Sequence, residues 1–177
     1  MCDHLQKILY KGVLLDQKPD LVVLAGRWNS DDLPSLDRTL KFLNRKGHNS
    51  ILVGPVVEYL DTVPSLLVRN NVGLNANAGV LDTMRDNHVL KLEQPVKELA
   101  FKNGVQYFSS QVAVCPNNRC DIFAGLGIPY QWDYGHYTPE GSIAVIGNFK
   151  NKLIAALNNK TGARLAFEDS GLRGILQ

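Results

Sequence analysis

Two short apolar runs bracket one amphipathic stretch, and that triplet restricts the chain to few folds. The runs are Leu21-Val22-Val23-Leu24-Ala25 and Ser50-Ile51-Leu52-Val53-Gly54. A continuous apolar run of this length marks a strand buried on both faces, not one with a wet side. Between them Leu33, Leu36, Leu40 and Leu43 recur at three- and four-residue intervals. Asp31 and Asp32 lead into that pattern and Gly47 closes it, so residues 33–46 read as an amphipathic helix. Strand, helix and strand in this order imply a right-handed crossover between neighbouring parallel strands at 21–25 and 51–54, with the helix on one face.

The rest of the chain extends the alternation. Residues 3–16 carry Leu5, Ile8, Leu9 and Leu14 at near-helical spacing, ended by Pro19-Asp20. Pro64 starts a short helix, and Asn70 to Gly79 is rich in Asn and Gly, hence loop. Residues 80–103 read as helix with a break or fresh start at Pro95. Val105 to Phe108 is a third strand, and Cys115 to Pro129 a turn or small hairpin. Residues 139–157 form the last long helix, with Ile143, Ile146, Phe149, Leu153 and Leu157 expected on one face. The tail from 160 to 177 has no period and stays unassigned. Alternating strands and helices give a three-layer α/β sandwich with a mainly parallel sheet, in one domain over 1–177.

Composition agrees and excludes several classes. Of 177 residues, 45% are hydrophobic and 20% charged, enough for a core and unlike a disordered chain. A net charge of +2 argues for neither nucleic acid nor an anionic membrane as partner. No apolar run is long enough to span a bilayer, and the opening Met1-Cys2-Asp3-His4 is no signal peptide. The sequence has three cysteines. Cys115 and Cys120 flank a tight polar turn, Pro116-Asn117-Asn118-Arg119. Three readings stand for them: a local disulfide, which implies an oxidising compartment; two free thiols; or half of a zinc site whose other ligands have no suitable spacing. Cys2 is left without a partner.

In open α/β sheets the working residues gather at the carboxyl ends of strands. Gly26-Arg27-Trp28-Asn29 ends the first strand, and Gly54-Pro55 the second. Asp133 and His136 follow the third at a spacing of three. Thr138 can cap a helix there, Pro139 suits its first position and Glu140 its dipole. A His at a loop-to-helix junction, with a carboxylate on the same segment to set its tautomer, is arranged as a general base for acyl transfer. A structural His and a turn-forming Asp are the plainer alternatives. Arg27 can equally form a structural ion pair. Trp28 and Trp132 suit either a sugar cleft or the core. His4, His48 and His88 have no chemical company.

These segments together resemble the SGNH hydrolase family. The resemblance is closest to the SGNH domain at the C-terminal end of bacterial membrane O-acyltransferases that modify cell-envelope sugars. It rests on Cys2, on Lys18-Pro19-Asp20-Leu21-Val22-Val23-Leu24-Ala25-Gly26-Arg27-Trp28, on Gly47, and on Ile51-Leu52-Val53-Gly54-Pro55. The Cys115 and Cys120 pair, Asp133-x-x-His136 and Gly141 complete it, over residues 2–155 and in the family's order. It implies a flavodoxin-like SGNH fold and a serine esterase or O-acyltransferase with Asp133 and His136 catalytic and no cofactor or metal. The implied substrate is an acylated, chiefly acetylated, sugar or polysaccharide. The implied partner is a membrane acyltransferase domain in the full-length protein, and the implied location is periplasmic or extracytoplasmic. The family's Gly-Asp-Ser block, which carries its nucleophile, has no counterpart in the match, which implies a truncated domain lacking the first strand. Gly26-Arg27-Trp28-Asn29 stands where the family has Gly-x-Asn-Asp, so Arg27, Trp28 and Asn29 are the candidates for holding an oxyanion or substrate. Glu168-Asp169-Ser170-Gly171 faintly echoes the missing block. The rival expectation is a carbohydrate-binding or interaction domain that kept the fold and lost the chemistry.

Overall fold

The computed structural model describes residues 12, 14 and 16–158. The helix expected over 3–16 falls mostly outside them, and Cys2, Ser170 and the 160–177 tail wholly so. Three parallel strands form the main sheet, β1 (Val22–Leu24), β2 (Ser50–Val53) and β3 (Gln106–Phe108), in that spatial order. Helix α1 (Leu33–Arg45) links the first two. Helices α2 (Val63–Arg69), α3 (Asn87–Leu90) and α4 (Glu93–Lys102) link the second and third. After β3 come α5 (Ser110–Val114), an antiparallel hairpin of β4 (Phe123–Gly125) and β5 (Ile128–Pro129), and α6 (Pro139–Asn158).

The strand pleat sorts side chains into two cores. Leu52 lies opposite Tyr107, and both face Leu36 and Leu40 of α1 and Val96 and Ala100 of α4. Ile51 and Phe108 face the other way, onto Val63 and Leu66 of α2 and Val145 and Phe149 of α6. Helices therefore cover both faces of the sheet, in the expected three layers. The first crossover is also as expected: β1 and β2 pair in parallel, with Val23 opposite Ile51. Gly47 has φ +72°, which lets His48 N–H reach back to the Leu43 carbonyl at 3.0 Å and end α1.

Three expectations need correction. Strand β1 is not buried on both faces; Val23 is 45% exposed. Among the described residues β1 has a strand on one side only. Residues 80–103 are not one helix. A single turn at Asp82–Met84 precedes α3 and α4. The Asp86 carboxylate accepts from His88 N–H at 2.7 Å and caps α3. Pro95 falls in the first turn of α4, where its missing N–H leaves no bond unmade. Last, α6 turns Val145, Phe149 and Ala156 inward and leaves Ile143, Ile146 and Leu157 exposed. Apolar residues lie on several sides of this helix, so periodicity cannot choose its inner face. Cross-layer contacts do: Phe149 meets Phe108 with ring centroids 4.2 Å apart, and the Asn49 amide donates to the Ala156 carbonyl.

A candidate acyl-transfer site

The loop from Gln131 to Thr138 is shaped by its own sequence and stitched to a neighbouring segment. Gln131 and Tyr137 bridge its base, and Trp132 N–H donates to the His136 carbonyl at 3.1 Å. The buried Gln131 amide donates to the Val57 carbonyl at 2.7 Å. Tyr59 N–H reaches the Tyr134 carbonyl at 2.9 Å, and Val63 N–H the Asp133 carbonyl at 3.1 Å. The stretch from Val57 to Val63 thus acts as a rail for the loop. At the loop's end, Thr138 Oγ1 accepts from Gly141 N–H at 3.0 Å and donates to the Pro129 carbonyl at 2.8 Å. Pro139 opens α6 directly afterwards, as the cap signature implies.

One carboxylate organises the chemistry. Asp133 Oδ1 accepts from the backbone N–H groups of Gly135 at 2.8 Å and His136 at 2.7 Å. Its Oδ2 lies 2.6 Å from His136 Nδ1. Burial on its own would raise the Asp133 pKa, but the two backbone donors and the imidazole outweigh it and hold the group below the usual carboxylate range. An ionised carboxylate can only accept, so in the neutral imidazole the proton sits on Nδ1 and the lone pair on Nε2. The Asp133 side chain is 14% exposed and that of His136 is 67% exposed. The ring's orientation is therefore fixed from behind while its basic face meets solvent.

Arg27 joins this site from the end of β1. Its Nε and Nη2 make a fork with Glu58 Oε1 and Oε2 at 2.8 and 2.7 Å. Its Nη1 points to the Tyr134 hydroxyl at 3.4 Å, and the guanidinium lies 5.2 Å from the Tyr134 ring centre. The Tyr134 ring meets His136 edge-on, with centroids 6.0 Å apart. Arg27 and His136 therefore share one face of the molecule. Glu58 already occupies the guanidinium fork, so Arg27 is a held, charge-balanced donor, not an open grip for a substrate carboxylate.

Glu58 is the residue that sequence reasoning missed. Its side chain is 4% exposed, and a Cβ on Gly135 would stand 3.2 Å from Glu58 Cγ. It ties the strand end to the Asp133–His136 loop. No local signal in Val57-Glu58-Tyr59 marks it; only the approach of distant segments does.

The other expected residues are engaged elsewhere. The Asn29 side-chain amide donates to Asp32 Oδ2 at 3.2 Å, so it belongs to a cap at the entry to α1. Asn29 followed three residues later by an acid was itself the signal for that cap. The half-buried Trp28 donates its indole N–H to the Val53 carbonyl at 2.8 Å and packs with the α1 core, which is a structural role. Ser110 is buried, with its hydroxyl on the Gly54 and Pro55 carbonyls. Among the described residues, no serine hydroxyl hydrogen-bonds to His136.

Cys115 and Cys120 are joined at 2.05 Å by a buried disulfide that closes the turn between α5 and the hairpin. For so short a loop, chain entropy gives the bond about 2 kcal/mol. Replacing both cysteines with serine should thus lower the melting temperature by about 4–8 °C, read by calorimetry under non-reducing conditions. An unchanged melting temperature would show that the turn holds itself.

Comparison with known proteins gives two matches. The family model described as the SGNH domain fused to AT3 domains matches residues 1–151. No curated protein sequence matches the chain. Among solved structures, the periplasmic domain of a lipopolysaccharide acetyltransferase from Salmonella ser. Paratyphi A is similar, with a TM-score of 0.64 and 19% identity. The match covers 86% of this chain and 61% of that one, so this chain spans under two thirds of that domain. At that identity the likeness speaks for the fold.

Proposed function

The chain belongs to the family of SGNH domains fused to AT3 domains, and on that premise we propose that it moves acyl groups, chiefly acetyl, on a cell-envelope polysaccharide. The observation that carries this reading is the 2.6 Å contact of Asp133 Oδ2 with His136 Nδ1, on a loop whose backbone the same carboxylate pins. His136 Nε2 takes the proton from a serine hydroxyl as its oxygen attacks the acyl carbonyl carbon. As the tetrahedral adduct collapses, His136 returns that proton to the departing oxygen. It then deprotonates the acceptor hydroxyl, or water, as that oxygen attacks the acyl-serine carbonyl carbon, and passes the proton to the departing serine oxygen. Asp133 balances the imidazolium at each stage. Among the described residues no serine hydroxyl is hydrogen-bonded to His136, so this reading requires a serine from elsewhere.

The partner in this reading is a membrane acyltransferase domain; the family description names AT3 domains fused to its SGNH domains. Among the described residues no helix is long and apolar enough to cross a membrane. An extracytoplasmic location is supported by the periplasmic neighbour and by the disulfide, which persists in oxidising compartments. A second reading is a binding domain that kept the fold without the chemistry.

One experiment separates them. Hydroxylamine-releasable acetate is measured on envelope polysaccharide from cells carrying the intact gene, a deletion, or His136→Ala at equal protein abundance. The catalytic reading expects His136→Ala to match the deletion; acetate at the intact level would remove His136 as the base. Hydrolysis of 4-nitrophenyl acetate by the purified chain complements it, with near-background turnover expected. Turnover that His136→Ala abolishes would reveal a nucleophile within the chain, with Ser170→Ala the next variant.

A further inference from the structure

Trp132 stands out beside the His136 base. It is 60% exposed, an unusual state for the largest apolar side chain, and its indole N–H has no hydrogen-bond partner among the described residues. Trp28, by contrast, is half-buried with its N–H satisfied by Val53. The Trp132 ring is not loose. Its backbone N–H is tied to the His136 carbonyl, and its ring stacks on the imidazole with centroids 5.7 Å apart and planes 23° apart. One face of the indole is thus turned toward His136, while the side chain stays 60% exposed. Tyr134 also meets His136, edge-on, and the Glu58-held Arg27 stands by the Tyr134 ring. The base sits in a row of rings, and the row ends in an aromatic platform with a free donor.

We propose that Trp132 is a saccharide subsite, on whose open face one pyranose ring of the substrate stacks. The apolar C–H face of a pyranose fits a flat aromatic ring. The indole N–H can donate to a ring hydroxyl, and that placement sets a neighbouring substituent oxygen at His136 Nε2. The subsite thereby selects a sugar oxygen as the group whose acyl ester is made or broken. This inference rests on the reading of His136 as the base, but it concerns binding and is measured without turnover.

The test is saturation-transfer NMR on the purified chain with maltotriose, cellotriose and chitotriose as probes, each at millimolar concentration. The expected result is saturation of ring C–H protons of at least one probe and a saturable shift of the Trp132 indole N–H signal, with the Trp28 signal unmoved. Trp132→Ala should weaken the apparent affinity at least tenfold, and Trp132→Phe, which keeps a smaller ring, by about threefold. Thermal melts establish that the variants fold. Two results would overturn the proposal: no saturation with any probe, or saturation that survives Trp132→Ala. Either leaves the His136 acetate experiment standing, and loss of that experiment leaves the binding result standing.

Discussion

Gly141→Ala is expected to destabilise the chain by about 3 kcal/mol and to lower its melting temperature by about 6–12 °C. A Cβ at this position would lie 2.2 Å from the Tyr130 carbonyl oxygen and 3.1 Å from Thr138 Oγ1. The first obstacle is backbone, and Thr138 N–H already binds that same carbonyl at 2.9 Å. Nothing there can swing aside, so the first turn of α6 must retreat from β5. The cost sits at the top of the overpacking range for that reason. The retreat also strains the Thr138 cap, two residues beyond His136. Gly147→Ala is the control on the same helix. A Cβ there meets nothing within 4 Å, and alanine is the better helix former, so stability should hold or rise by up to about 1 kcal/mol. Equal melting shifts for the two variants, by calorimetry, would mean that the contact of α6 with Tyr130 is not tight.

Arg27→Ala has the next largest expected effect, a loss of about 2 kcal/mol. The substitution leaves the Glu58 carboxylate, 4% exposed, without its two charge-assisted hydrogen bonds. Removing one partner of a fully buried pair costs more than this. The Arg27 side chain is 63% exposed, so water can enter beside the stranded carboxylate and soften the loss. Glu58→Gln keeps an acceptor for Arg27 and strands no charge, so it should cost about half as much. Urea denaturation of the two single variants and the double variant gives the coupling. If Arg27→Ala costs no more than an ordinary exposed substitution, the pair does not anchor the loop to β1.

The candidate base could be read from sequence because its determinants are local. Asp133, Gly135, His136 and Thr138 lie within one short segment, and each makes a bond inside that segment or at its end, where Pro139 opens α6. The β1–α1–β2 crossover was legible for a related reason: its apolar runs are long against the strands they form. Burial was legible only in part. An apolar run shows that a strand can be covered on both faces, but Val23 depends on what lies beside β1. The inner face of α6 was hidden because apolar residues occur around the helix, and Phe108 decides which of them turn inward. Glu58 was hidden because its meaning comes from Arg27 and Gly135, both far from it in the chain. Asn29 shows the opposite case: its bonds to Asp32 are local, and the Asn-x-x-Asp spacing alone announces them.

The central claim is that Asp133 holds His136 as a base with its lone pair on Nε2. Long-range proton–nitrogen NMR correlation of the neutral imidazole measures this directly in the purified chain. The account predicts that His136 is protonated on Nδ1, with Nε2 bare, and that Asp133→Asn loses this single tautomer. A neutral His136 protonated on Nε2, or a ring whose tautomer Asp133→Asn does not alter, would contradict it.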